Sequence, residues 1–350
     1  MIAVRAGVHF STVSLALNNH PSIPLATRER LQSLAEEMGY RPDPVLASLV
    51  AYRQQQKKKR DHGVLAWIDN WPAATGMAHE RARHIYPALW EGASARAGLR
   101  GWKLEEFCPS RQGMTAAAFC RMLRTRGIDG LLVAPMPGAG GELEMEWEAF
   151  SAIAIGNTMT SPHLHRVMPH HVHNMQAIMR ELGALGYRRP AFVLDQTINE
   201  RTRHYWTAAF LDAQLRLPKA RRLEPLLLPF DAAATGRGVL MEWIRRVSPD
   251  VLIASRADEV VAWLRGTGLR VPEDVGVASA AFLTETWKPG QCSPTDTAGI
   301  DERFDSIGAT AIDTLVGLIH RHERGVPEEA MHILIEGRWH PGRSVAGAGV

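Results

Sequence analysis

From residue 63 onward, short unbroken apolar runs alternate with amphipathic stretches; before that point the apolar positions recur only at helical spacing. The first sixty residues predict three short helices. Residues 1–6 form the first, ended by Gly7, which tolerates the left-handed turn that follows. Phe10 to Leu17 form the second, with Val13, Ala16 and Leu17 on one face, and Asn18-Asn19-His20-Pro21 break it. Thr27 to Met38 form the third, with Leu31, Leu34, Ala35 and Met38 facing inward and Gly39 as its stop. Residues 43–53 suit a further short helix, and 53–63 read as a polar linker.

Beyond it, GVLAWI (63–68), KLEEF (103–107), LLVAP (131–135) and AIAIG (152–156) read as strands, separated by helical patterns near 84–97 and 115–126. A second series follows, with strands AFVLD (191–195), PLLLP (225–229), VLIAS (251–255) and VGVAS (275–279). Its helices fall at 174–185, 203–215, 236–247 and 258–265. Alternating strands and helices of these lengths predict doubly wound α/β units with parallel sheets, and two series predict two lobes.

Charge divides the chain in the same place. Residues 1–60 carry nine Lys/Arg against four Asp/Glu, whereas the rest carries 31 against 33. A basic head on a slightly acidic body suits a polyanion partner for the head alone, or a merely solvated basic end. Cys108, Cys120 and Cys292 lie far apart with no CxxC pair, so neither a disulfide framework nor a structural zinc site is indicated. The start lacks an apolar run behind a basic end, and no stretch approaches the ~18 apolar residues of a membrane helix, so a cytoplasmic protein is expected. No Walker loop, GxGxxG or GxSxG occurs, no catalytic set stands out, and no enzyme or cofactor is expected. His163, His165, His170, His171 and His173 cluster, but without a Cys or acid among them a metal site is not expected.

AGVHFSTVSLALNN (6–19) followed by ATRERLQSLAEEMGYRPDP (26–44) resembles the head of the LacI/GalR family of transcription regulators. LGALGYRRPAFVL (182–194), GLRVPEDVGVAS (268–279) and IGATAIDTLVGLI (307–319) resemble segments of the same family's body. The resemblance implies an all-α helix-turn-helix head (1–43), a hinge helix with a basic linker (44–62) and a periplasmic-binding-protein-like core (63–345). The expected division is lobe 1 at 63–160 plus 290–320 and lobe 2 at 161–289 plus 321–345.

It also implies roles. Phe10, Ser11 and Leu15 fall on the face that reads base edges, Ser11 by hydrogen bonds and the other two by apolar contact. Thr12, Ser14, Asn18 and Thr27 fall where the family contacts phosphates. Leu49 falls where a leucine wedge enters the minor groove; the same residue also suits packing with Val45, Leu46 and Tyr52. Lys57 to Arg60 suit a solvated charge run or, beside such a hinge, a set of cations that neutralises phosphates. Departures are visible. The chain begins inside the family's first helix, which leaves a true start upstream of Met1 open. Leu15 stands where an arginine is frequent, His9 where a Ser or Thr N-cap is usual, and Pro24 where a serine caps the third helix.

In the core, ligands of such folds bind at the carboxyl ends of the strands. The expected effector residues are Asp69, Asn70, Trp71, Arg203, Trp206, Asp258, Phe282 and Trp287. Carboxylates, amides and indole faces suit a sugar-like ligand. Trp206 stands where many members carry an arginine, and Ala281 where they carry an aspartate, which leaves a modified or aromatic ligand equally open. The expected protein is a homodimeric regulator of operator DNA, a repressor under a small-molecule effector. The alternative is a ligand-binding protein whose head no longer reads DNA.

Overall fold

The computed structural model describes residues 2–17, 22–39, 63–71, 86–109, 113–230, 233–282 and 296–346. Asn18, Leu49, Lys57 to Arg60 and Trp287, with the hinge segment 44–62, lie outside the described residues.

The head holds α1 (Ile2–Ala6), α2 (Phe10–Leu17) and α3 (Leu25–Glu37). Val13, Ala16 and Leu31 form its small core, with Ile2, Ala6, Val8 and Ile23 packed around them. Gly7 takes φ +66°, which lets the chain turn between α1 and α2. Gln32 Nε2 donates to Ala16 O at 3.1 Å and ties α3 to the end of α2. His9 does the work expected of a serine: its Nδ1 lies 2.7 Å from Ser11 Oγ and accepts weakly from Ser11 N at 3.4 Å. At Pro24 no side chain caps α3, whose first turn begins two residues before the predicted Thr27.

The core is built from two six-stranded sheets. Its elements are β1 (Gly63–Ile68), α4 (Tyr86–Leu99), β2 (Trp102–Phe107), α5 (Ala116–Thr125), β3 (Gly130–Val133), β4 (Gly141–Glu142), β5 (Ser151–Ile155), β6 (Met159–Ser161) and β7 (Arg166–Pro169). They continue with α6 (His171–Ala184), β8 (Pro190–Asp195), α7 (Gln196–Arg201), α8 (Tyr205–Leu215), β9 (Leu226–Leu228), α9 (Ala233–Val247), β10 (Val251–Ala254) and α10 (Ala257–Gly266). The last are β11 (Gly276–Ser279), β12 (Ala298–Asp301), α11 (Phe304–Arg321), β13 (His332–Ile335) and β14 (Arg338–His340). The first sheet runs β13-β7-β5-β3-β1-β2, all parallel; the second runs β14-β12-β11-β10-β8-β9, with only β14 antiparallel; β4 and β6 pair separately.

Both faces of each sheet are covered, which is why the strands read as unbroken apolar runs. On β1, Leu65 and Trp67 join the core under α4 and α11, while Ala66 and Ile68 join the core under α5. On β10, Val251 and Ile253 face α6 and α8, while Leu252 and Ala254 face α9 and α10. Helices α4 and α11 cross closely because Gly92 and Gly308 meet there: a Cβ on Gly92 would overlap the Asp305 carbonyl, and one on Gly308 the Leu89 carbonyl.

The lobes divide differently from the expected boundaries. The chain passes between sheets at 169–171, 301–304 and 335–338. Residues 161–169 therefore belong to lobe 1, because β7 pairs with β5 in the register Ala154↔Arg166. Residues 296–301 belong to lobe 2, because β12 pairs with β11, and 321–335 return to lobe 1 through β13 against β7. The helix predicted over 203–215 begins at Tyr205, and a further helix, α7 (Gln196–Arg201), precedes it. Arg203 (φ 52°) and His204 (φ 61°), both in the left-handed region, separate the two helices.

Candidate functional site

Two surfaces carry chemistry. On the head, Phe10 is 70% exposed, an unusual state for a phenylalanine in a formed helix. Ser11 is exposed beside it and Leu15 follows one turn later, partly buried, while Val13 and Ala16 point into the core. Thr12 and Thr27 are partly buried. The second helix thus offers an apolar ring and a hydroxyl at its N-terminal end.

The second surface is a cleft between the lobes that encloses a cavity of about 170 Å³. It lies at the carboxyl ends of β1, β3, β5 and β7 in lobe 1 and of β8, β10 and β11 in lobe 2. Lobe 1 places Trp71, Tyr86, Asn157 and Thr158 in the wall, and lobe 2 places Thr197, Arg201, Trp206 and Arg256 opposite. His171, Glu302 and Phe304 close the floor at the crossings.

Each wall residue is set by a local device. The carboxylate of Asp69, wholly buried, accepts from Trp71 N at 3.0 Å and fixes the turn that carries the indole. Trp71 Nε1 (2.9 Å) and Tyr86 Oη (2.6 Å) both donate to the Pro135 carbonyl, and the two rings meet edge to face at 5.9 Å. Across the cleft, Asp195 caps α7 by accepting from Thr197 N at 2.8 Å, and its other oxygen lies 2.8 Å from Arg256 Nε. Arg256 also pairs with Glu259 at 3.2 Å, and Ser255 Oγ accepts from Asp195 N at 2.9 Å. The Arg201 guanidinium lies 5.2 Å over the Trp71 ring, a cation–π contact from one lobe to the other.

One side chain ties the crossings together. Asn174, on α6 just after the first crossing, is wholly buried. Its Nδ2 donates to Glu302 Oε1 (3.2 Å) at the second crossing, and its Oδ1 accepts from Gly337 N (2.8 Å) at the third. His171 Nδ1 lies 3.3 Å from the same Glu302 oxygen, and its ring packs 4.8 Å from Trp206. Next to Glu302, burial pushes the Asp301 carboxyl above the usual carboxylate range, against the hydrogen bond from Arg303 N.

Of the eight expected effector residues, Trp71 and Trp206 line the cleft. Asp69 sits behind Trp71 as its positioning group, and Asn70 Nδ2 is buried with no hydrogen-bond partner among the described residues. Arg203 is exposed outside the cleft; the guanidinium in the wall is Arg201, two residues earlier. Asp258 accepts from Thr297 Oγ1 at 3.2 Å, and Phe282 is buried with its ring 6.1 Å from His340; neither is in the cleft wall. The residues that sequence reading missed are Tyr86, Asn157, Thr197, Arg256, His171 and Glu302. Asp195 was legible as an aspartate between a strand and a helix, the usual cap position.

The histidines disperse among structural tasks. His165 Nδ1 accepts from Met331 N (2.9 Å), and burial holds its pKa below the usual value. His170 caps α6 by accepting from His173 N (3.3 Å), while His163 and His332 meet edge to face at 5.7 Å. Among the described residues no group of three or more His, Cys, Asp or Glu is placed to hold a metal ion. No helix among the described residues is long and apolar enough to cross a membrane.

The family model for bacterial regulatory proteins of the lacI family matches residues 2–43, and that for a periplasmic binding protein-like domain matches 179–345. No curated protein matches the chain. The fold is similar to that of the transcriptional regulator CelR in complex with cellobiose, at 18% identity, 98% coverage of both chains and a TM-score of 0.57. It is similar also to the lac repressor dimer bound to operator and the anti-inducer ONPF, at 15% identity, covering 99% of this chain and 98% of that one, with a TM-score of 0.56. A LacI family regulator from Enterococcus faecium with bound ribose, at 14% identity, covers 81% of this chain and 99% of its own with a TM-score of 0.53. The chain belongs to the lacI family of bacterial regulatory proteins and is a DNA-binding transcription regulator.

Proposed function

We propose that the protein is a repressor that grips a near-palindromic operator as a homodimer and answers to a small-molecule effector held in the interlobe cleft. The observation that carries the DNA half is the exposed Phe10 at the start of α2, opposite the Val13–Ala16 face. In this reading Phe10, Ser11 and Leu15 meet base edges, and Thr12, Ser14, Asn18 and Thr27 meet phosphates. Leu49 enters the minor groove as a wedge. One short recognition helix covers too few bases alone, which favours two half-sites and a dimer.

The effector half rests on the cleft at the strand ends and on the Asn174 tie between its crossings. Relatives with bound cellobiose or ribose support a sugar-sized, sugar-like effector. Ligand that binds one lobe arrangement better than another shifts the population, and the head responds through the segment that joins it to the core. A gel shift on the DNA adjoining the gene tests the first half. Phe10→Ala is expected to weaken specific binding at least tenfold, equivalent to about 1.4 kcal/mol, while leaving non-specific binding unchanged. Equal loss on all sequences contradicts the base-reading role.

A further inference from the structure

We infer that the effector of the cleft presents an aromatic ring, as the aglycone of a glycoside or as a free aromatic acid, rather than being a bare polyhydroxylated sugar. The inference rests on the reading of the cleft as the effector site and concerns what that site recognises.

The first observation is where the polar groups of the wall already point. Trp71 Nε1 and Tyr86 Oη, the polar tips an aromatic residue would offer a sugar hydroxyl, are both spent on the Pro135 carbonyl. Thr158 Oγ1 accepts from Met136 N at 2.7 Å, Ser255 Oγ accepts from Asp195 N, and Thr202 Oγ1 donates to Ile198 O at 2.9 Å. Each hydroxyl therefore has one of its hydrogen-bonding roles committed to the wall itself. Arg256 is held by Asp195 and Glu259, and Glu302 by Asn174. A pyranose offers a hydroxyl on nearly every ring carbon, and each one desolvated without a partner costs affinity. Asn157, Thr197 and the Trp206 indole N–H make no side-chain hydrogen bond among the described residues, enough to orient one polar handle rather than a ring of hydroxyls.

The second observation is what the wall offers in place of hydrogen bonds. Trp71 and Trp206 face the cleft from opposite lobes, with Phe304, Ile155 and Ile198 between them. Where β11 ends, the wall is Ala280 and Ala281, small and apolar, so a flat group meets no carboxylate there. The guanidinium of Arg201 already lies over the Trp71 ring, so that face accepts a planar, delocalised partner from across the cleft. A ligand ring on Trp71 replaces this contact and frees Arg201 to meet the ligand's acceptor. A lobe-to-lobe contact thereby becomes a ligand-mediated one.

The test titrates the purified full-length protein with phenyl β-D-glucopyranoside, benzoate and cellobiose, reading tryptophan fluorescence. At least one aromatic probe is expected to saturate at a Kd tenfold or more below that of cellobiose. Binding of the glucoside alone identifies an aglycone, and binding of benzoate alone a free aromatic acid. Ala281→Asp, and independently Ile198→Asp, are expected to weaken that binding at least tenfold in protein whose circular dichroism matches that of the wild type. Cellobiose binding as tightly as either aromatic probe overturns the inference and leaves the cleft as a sugar-effector site. Failure of both classes to bind, or binding indifferent to both substitutions, overturns the inference and the effector reading of the cleft together.

Discussion

Arg166 is the residue most at odds with its surroundings. It stands on β7 with 1% of its surface exposed, donates from Nη1 to the Met159 carbonyl at 3.2 Å, and leaves Nε and Nη2 without a partner among the described residues. Burial, with Arg203 nearby, holds its pKa below the ordinary arginine value. A buried cation without a carboxylate is a net cost, and apolar replacement of buried charges often stabilises by about 1–4 kcal/mol. Arg166→Met is therefore expected to raise the urea midpoint at unchanged slope. A lowered midpoint would mean that the guanidinium gains a counter-charge on assembly. At this scale the sequence was legible only in part. Trp71 and Trp206 were found because an indole near a strand end carries a recognisable chemistry. Arg201 was missed in favour of Arg203 because the left-handed break at 203–204, which decides which arginine faces the cleft, has no strong sequence mark.

Among elements, the strands of the two sheet centres were readable, since a strand covered on both faces is an unbroken apolar run. β7, β12, β13 and β14 were not, for a physical reason: they are short, lie at edges or next to the crossings, and carry Arg166, Asp301, His332 and Arg338 within them. Losing them misplaced the lobe boundaries, because these are the strands that flank the passages between sheets. The same passages explain Asn174. Its amide spends a donor and an acceptor on two different crossings, so its loss leaves the Gly337 N–H without its partner and strips a donor from the buried Glu302. Asn174→Ala is expected to cost about 1–3 kcal/mol of stability in denaturant unfolding. It is also expected to change the effector's influence on DNA binding, because the amide joins two of the passages between the lobes. A loss under ~0.5 kcal/mol, within the range of an ordinary surface substitution, would show that the tie is incidental.

As a whole molecule, the protein joins a basic head to a slightly acidic two-lobed core, and the proposed function gives DNA reading to the first and ligand sensing to the second. Fold class and family were legible because the head signature is local in sequence and the core alternates strand and helix regularly. The cleft wall was not, because it is assembled from strand ends more than two hundred residues apart, such as Trp71 and Glu302. Footprinting on the DNA adjoining the gene, with the complex weighed by analytical ultracentrifugation, shows whether a dimer reads a two-part operator through Phe10. A dimer is expected to protect two symmetric half-sites, and Phe10→Ala to lose that protection. A monomer holding a lone half-site at full affinity, or protection unchanged in Phe10→Ala, would contradict that expectation.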